Sequence, residues 1–155
     1  MRLFLVFDVS GSMLEGGSKA FVAQQLIKAA LFECSGGRLP TEPENVFVAF
    51  CAAQMEIYQL DENWQFPYPS DELQGGCMTS KTMIRFMKEI APDTDDCVFF
   101  FSDQNIDFSR DLPKRKITTV LIGDEEDYGK NAIEPEYFIT RLHTDIAEQY
   151  AKSRA

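Results

Sequence analysis

The sequence predicts an α/β protein in which a doubly wound, open and mostly parallel sheet carries helices on both faces and one antiparallel edge strand. Three nearly continuous apolar runs, residues 2–7, 97–102 and 117–122, are typical of parallel strands buried on both sides. Amphipathic helical segments alternate with these runs, as they do when helices cover a parallel sheet. Residues 46–60 add two strands whose connecting turn is too short for anything but antiparallel pairing. We expect a single domain over residues 1–155.

The first predicted helix spans residues 18–34 and follows the first strand. Its apolar positions recur at spacings of three and four, which is a helical repeat: Ala20, Ala23, Ile27, Leu31 and Cys34. Ser18 is the predicted N-cap, and the stretch 35–37 is the predicted stop signal. Two strands are then expected at about 46–51 and 55–60.

Two further helices complete the predicted order. One begins at Ser80 and places three apolar side chains on one face: Met83, Met87 and Ile90. The other begins near Glu136 and carries a final apolar stripe: Ile139, Leu142, Ile146 and Tyr150. The strand at 97–102 and a strand ending at Gly123 lie between these helices, so strands and helices alternate as a doubly wound sheet requires.

Charge and composition narrow the range of partners. The formal net charge of −10 disfavours nucleic acids and anionic membrane surfaces, whereas cations and basic partners are favoured. The apolar run before Asp8 is too short for a membrane helix or for the core of a signal peptide, and we expect a cytoplasmic protein. None of the four cysteines belongs to a C-x-x-C pair, which argues against a zinc knuckle and predicts reduced, mostly buried thiols.

Oxygen-bearing side chains follow two of the predicted strands. Asp8, Ser10 and Ser12 alternate after the first strand as D-x-S-x-S, and Asp103 ends the strand at 97–102. Ligands of open α/β sheets bind at the carboxyl ends of the strands, near the point where the strand order reverses. An all-oxygen set of carboxylates and hydroxyls suits Mg²⁺, Mn²⁺ or Ca²⁺ better than zinc. The sequence therefore predicts a site for a hard divalent cation.

The motif FDVSGSM resembles the metal-ion-dependent adhesion site (MIDAS) of von Willebrand factor type A (vWA) domains, which have a Rossmann-like fold. The family pattern combines D-x-S-x-S, a threonine after a glycine-rich loop, and an aspartate after the fourth strand. Asp8, Ser10, Ser12 and Asp103 match the first and last parts. Cys77 follows the glycine pair and Thr79 lies two residues further on, so the resemblance offers either as the remaining ligand. A thiol is a poor ligand for Mg²⁺.

The resemblance also implies a function. Domains of this family capture an Asp or Glu carboxylate of a partner protein through the bound ion, so we expect a binding module and not an enzyme. By family analogy, the partner is a protein such as an AAA+ ATPase, or the setting is a prokaryotic stress-response system. Asp107 and the acidic residues 124–127 could add charge near the ion, although solvated loop positions are the simpler interpretation.

Several alternatives stay open on the sequence alone. Asp8 and the serines could instead cap a helix and fix the loop in a degenerate, metal-free interaction domain. The stretch 11–19 resembles a phosphate loop in placement but lacks a lysine directly after its second glycine, and Lys19 is expected to point along the helix. Asp8 could also be a phosphoryl-accepting nucleophile of a hydrolase or phosphotransferase, but no second carboxylate stands two residues on, and His143 is expected at the surface.

An aromatic, proline-rich stretch at residues 64–69 precedes the glycine pair. Its side chains either line the rim of the metal edge and touch a partner, or pack over the edge of the sheet. The sequence does not separate these two interpretations.

Overall fold

The computed structural model describes residues 1–90, 93–123 and 131–154. In these residues six strands form one sheet in the order β3-β2-β1-β4-β5-β6. The strands are β1 Leu3–Asp8, β2 Val46–Cys51, β3 Met55–Gln59, β4 Cys97–Ser102, β5 Lys116–Leu121 and β6 Ala132–Ile133. Every neighbouring pair is parallel except β2 and β3, which makes β3 an antiparallel edge strand. The predicted fold class is confirmed.

Four α-helices connect the strands in the described residues: α1 Gly11–Leu14, α2 Ser18–Ser35, α3 Ser80–Ile90 and α4 Phe138–Ser153. Short 3₁₀ turns at Pro43–Asn45 and Pro135–Tyr137 precede β2 and α4. The helices α2 and α4 share one hydrophobic core with the sheet, and α3 shares the other. Within the part of the chain described, no helix combines the length and the apolar character needed to cross a bilayer.

The two cores explain why the central strands are apolar throughout. Successive side chains of a strand point to opposite faces, and both faces are covered here. In β4, Phe99 and Phe101 belong to the core beneath α2 and α4, whereas Val98 and Phe100 belong to the core beneath α3. Phe138 of α4 packs edge-on against Phe99 and Phe101, with ring centroids 5.2 Å and 4.9 Å apart.

Some predicted boundaries were wrong. Ser18 is the first residue of α2, and Gly17 is the N-cap, with a left-handed φ of 78° that glycine adopts without a steric penalty. The final helix begins two residues later than expected because Glu136 lies in a 3₁₀ turn. The sequence pattern also missed α1 and β6, which have four and two residues and are too short to show a period.

The strand order places the switch point between β1 and β4. From β1 the chain moves to β2 on one side, and it later returns to β4 on the other side of β1. Phe7 is in register with Phe101, so the carboxyl ends of the two strands lie side by side. The loops that follow Asp8 and Ser102 therefore leave the sheet next to each other, which is where an open α/β sheet forms its ligand site.

Candidate functional site

Asp8 is the centre of the candidate site. It is the last residue of β1 and is 0% exposed. Its Oδ1 accepts a hydrogen bond from the backbone N–H of Ser10 at 2.9 Å, and its Oδ2 accepts one from the Ser102 hydroxyl at 2.5 Å. No basic side chain among the described residues forms an ion pair with this carboxylate. Asp8 is thus a buried acid held only by neutral donors.

Burial shifts the pKa of this carboxyl upward. Desolvation raises the pKa of Asp8, because the charged form loses its hydration. The hydrogen-bonding contributions of Ser10 and Ser102 lower the pKa and only partly offset this effect, while the nearby charge of Asp103 raises it further. A cation placed here would favour the ionised form that burial disfavours.

Ser10 contributes a second buried polar group. The residue is 3% exposed, and its hydroxyl lies near enough to Asp8 to lower the pKa of that carboxyl, but it makes no hydrogen bond of normal geometry with any described residue. The carbonyl of Ser10 accepts the N–H groups of Met13 and Leu14 at the start of α1, but the side chain does not cap this helix. The metal-free alternative therefore accounts for the loop contact of Asp8, but its expectation that the serine caps the following helix is not met by the Ser10 side chain.

Asp103 brings the second loop to the site. It directly follows β4, and its carboxylate is mostly buried. Oδ1 accepts a hydrogen bond from the Ser12 hydroxyl at 3.2 Å, and Oδ2 pairs with the Lys19 ammonium at 3.0 Å. The loops after β1 and β4 are thus joined side chain to side chain, and Asp103 lies on the same rim of the sheet as Asp8.

Lys19 does not behave as expected from the sequence. The prediction that it points along the helix was wrong, because its Nζ reaches Asp103 at the edge of the sheet. Gly123, after β5, lies beside this side chain, since a Cβ there would stand 3.5 Å from the lysine Cε, an ordinary van der Waals contact. Because its ammonium is committed to a carboxylate, Lys19 is a poor candidate for the lysine of a phosphate loop.

The glycine-rich loop before α3 is fastened to the same rim. Gly75 N–H donates to the Val9 carbonyl at 2.9 Å, and Gly11 N–H donates to the Gly76 carbonyl at 3.1 Å. These backbone bonds place the residue that follows, Cys77, beside the loop that carries Ser10 and Ser12. The Cys77 thiol is free, and the residue is exposed.

The two offered ligands from this loop differ in placement. Thr79 Oγ1 accepts the Thr82 N–H at 3.1 Å and lies 2.9 Å from the Thr82 hydroxyl, so it caps the start of α3. Among the described residues, only one group of three acidic, cysteine or histidine side chains has its ligand atoms within 4.8 Å of one another, and that group lies elsewhere. Cys77 therefore does not form such a cluster with both Asp8 and Asp103.

That group, Asp93, Asp95 and Asp96, lies just before β4 and thus at the amino ends of the strands. Arg2 donates to Asp96 from its backbone N–H at 3.2 Å and from its guanidinium at 3.1 Å and 2.6 Å, and it reaches Asp93 at 3.2 Å. Since its buried member is paired with arginine, this cluster is accounted for as a tie between β1 and β4.

Residues flagged on weaker grounds take other positions. His143 lies on α4 with its Nε2 3.6 Å from Glu33, away from the carboxyl rim. Asp107 is exposed and accepts the Ser109 N–H, and the acidic residues 124–127 lie outside the described residues. In the aromatic stretch, Phe66 is buried against Phe50, as the packing interpretation expects, while Tyr68 is 66% exposed and its contact with a partner stays a prediction.

Sequence reasoning missed two participants. Ser102, the hydrogen-bond donor to Asp8, was absorbed into the apolar strand, although its position directly before Asp103 placed it at the strand end. Lys19 was considered only for phosphate binding. Residue spacing alone could not have revealed either contact, because each joins residues that are more than 80 positions apart in the chain.

No protein-family model matches this sequence, and the comparison with curated proteins gives no significant match. The fold and the site define an α/β protein with a mostly parallel open sheet. A buried carboxylate, a buried serine hydroxyl and a second carboxylate lie at its switch point.

Proposed function

We propose that this chain is a vWA-type domain that binds a divalent cation through Asp8, Ser10, Ser12 and Asp103, and captures a carboxylate of a partner protein through that ion. The observation that carries the proposal is a fully buried carboxylate without a basic partner, beside a buried hydroxyl that makes no hydrogen bond of normal geometry among the described residues. Each is costly on its own, and a cation bound between them would compensate both.

The residues present fit a hard cation. Asp8 and Asp103 offer carboxylate oxygens, and Ser10 and Ser12 offer neutral hydroxyls, a set suited to Mg²⁺, Mn²⁺ or Ca²⁺. An ion held partly by hydroxyls and water keeps enough positive charge to accept one more anionic oxygen from outside. Cys77 and Thr79 are the two further ligands that the resemblance offers, and the capping role of Thr79 makes it the less available of the two.

The site favours binding over catalysis. Position 10 holds a serine where a phosphotransfer enzyme would place its second carboxylate, and the lone histidine is on α4. The net charge of −10 supports a protein partner over a nucleic acid. By family analogy we propose a cytoplasmic adaptor role, with an AAA+ ATPase as one such partner.

Calorimetric titration with Mg²⁺ and with Mn²⁺ tests the cation site. Wild type should bind one ion, and Asp8→Asn should lower the metal affinity by more than about 100-fold. Even the loss of a residue that only hydrogen-bonds to a metal ligand lowers metal affinity by about 10–100-fold. Asp61→Asn is the matched control, because Asp61 is exposed and follows the end of β3, beside the amino end of β2 and thus at the edge of the sheet opposite Asp8. Binding heat that is absent, or equal in wild type and Asp8→Asn, would refute the proposal.

A metal-free interaction domain is the second candidate, and the ion pair between Lys19 and Asp103 favours it. In that case the lysine ammonium is the resident cation of the site. If the site binds metal, Lys19 competes for Asp103, and Lys19→Met should tighten Mg²⁺ binding by about three- to tenfold, given about 1 kcal/mol for such a pair.

A second lysine substitution controls for the change in overall charge in the same titration. Lys28→Met, on the same helix and above the Phe66 ring, removes an equal charge and should leave the affinity within about twofold of wild type. Equal tightening by both substitutions would show a general charge effect, and weaker binding in Lys19→Met alone would contradict the competition.

A further inference from the structure

A pocket of about 480 Å³ adjoins the candidate cation site. Its floor is formed by Phe7, Val9 and Phe50 from the ends of β1 and β2. Phe21 of α2 also lines the pocket, and Phe66 and Tyr68 of the aromatic loop form an aromatic wall of it. The volume and the aromatic lining are those of a site that takes a ligand side chain or a small molecule.

The aromatic wall is preformed. Phe66 packs edge-on against Phe50 at 6.0 Å, and Tyr68 packs edge-on against Phe66 at 5.4 Å. The loop is fixed to β3 by Glu56, which accepts the Ser70 N–H at 2.9 Å and the Ser70 hydroxyl at 2.5 Å. An occupant would therefore bind without first having to order this wall.

Two large aromatic side chains face solvent at this pocket. Phe21 is 60% exposed and Tyr68 is 66% exposed, and both are among the most exposed large apolar residues of the described chain. Exposed aromatic side chains beside a concave apolar floor are typical of binding hot spots.

The pocket and the cation ligands share one loop. Val9 stands between Asp8 and Ser10, and Leu14, which also lines the pocket, follows Ser12 by two residues. The pocket therefore lies next to the loop that carries the cation ligands. The charged residue that lines the pocket is Asp71, which would repel a second acid and favours a neutral side chain there.

We infer that the captured partner segment carries two determinants: a single carboxylate for the cation and, within about four residues of it, a bulky aromatic or aliphatic side chain that fills this pocket. The inference rests on the proposed function, because it extends the contact made through the ion. The partner segment would thus combine an acidic residue with an apolar one, and would not consist of acidic residues alone.

Selection from a random heptapeptide phage library tests the inference. Phage are bound to wild-type protein with Mg²⁺, eluted first with EDTA and then at acidic pH. The EDTA fraction should be enriched in Asp or Glu accompanied by Phe, Trp, Tyr, Leu or Ile. In a selected peptide, replacement of the apolar residue by Ala should lower the affinity for wild type about tenfold, or about 1.4 kcal/mol.

Pocket variants then assign the apolar contact. Phe21→Ser and Tyr68→Ser should each lower the affinity for the parent peptide. The affinity for the Ala-substituted peptide should stay the same. Phe32→Ser is the control, because Phe32 is 63% exposed at the far end of the same helix and does not line the pocket. All three positions are exposed, so the variants should keep the fold.

The outcomes separate the inference from the proposed function. An EDTA fraction with acids but no apolar preference would overturn the inference and leave the proposed function standing. Apolar peptides without acids, recovered only at acidic pH, would overturn both, as would a selection that enriches no peptide. Self-association of wild type that Phe21→Ser abolishes would assign the pocket to a second copy of the chain and overturn the inference.

Discussion

Phe138→Ala is expected to lower the free energy of unfolding by about 3–5 kcal/mol, the usual cost of truncating a buried phenylalanine. Phe138 is completely buried at the start of α4 and packs edge-on against Phe99 and Phe101 of the central strand β4. Its removal opens a cavity between helix and sheet. Thermal unfolding should show a midpoint lowered by roughly 10 °C, at about 2–4 °C per kcal/mol for a chain of this size.

Phe32→Ala provides the matched comparison. Phe32 lies on α2 and is mostly exposed, with the Arg38 guanidinium 5.1 Å from its ring centre. Its truncation should change stability by no more than about 0.5 kcal/mol. If the two substitutions cost the same, the assignment of α4 to the core of the sheet would be wrong.

Asp8→Asn should change stability in opposite directions with and without metal. Wild type should gain about 2.7 kcal/mol at a metal concentration 100 times its Kd, and the variant should gain less than about 0.4 kcal/mol at the same concentration. In EDTA at neutral pH the variant should be the more stable protein, by about 0.5–2 kcal/mol, because asparagine removes a buried charge and keeps an acceptor for the Ser10 N–H. Urea unfolding of both proteins with EDTA and with Mg²⁺ measures these differences.

The advantage of Asp8→Asn in EDTA should also depend on pH. Burial raises the pKa of Asp8 in the folded protein, so this carboxyl favours folding below the ordinary aspartate pKa of about 3.9 and loses that contribution as pH rises through its raised folded value. The difference in the free energy of unfolding between variant and wild type should therefore be largest at neutral pH and decrease toward pH 4. A difference that is constant with pH would show that the charge of Asp8 is not its cause.

The fold could be predicted from the sequence because its strongest signals are local. The runs in β1, β4 and β5 are apolar on both faces, and that pattern has few explanations other than a covered parallel sheet. The tight connection between β2 and β3 fixed the antiparallel edge. The short elements and the exact helix starts could not be predicted, because turn geometry such as the left-handed Gly17 decides them.

The candidate site could be predicted only in part. Spacing identified Asp8, Ser10, Ser12 and Asp103, since each stands at or just beyond a strand end. The partners of these residues were not predictable, because Ser102 and Lys19 reach them across the switch point. The choice between Cys77 and Thr79 also depends on a structural detail: whether the threonine hydroxyl is used to cap α3.

The position of β1 has a consequence for the durability of the site. β1 is bonded on both sides, to β2 and β4, whereas β3 and β6 end the sheet. Edges fray at a small free-energy cost, while a central strand is released only when most of the domain opens. Slow local opening at either margin would thus leave the geometry around Asp8 intact, and the site should persist for as long as the native protein itself.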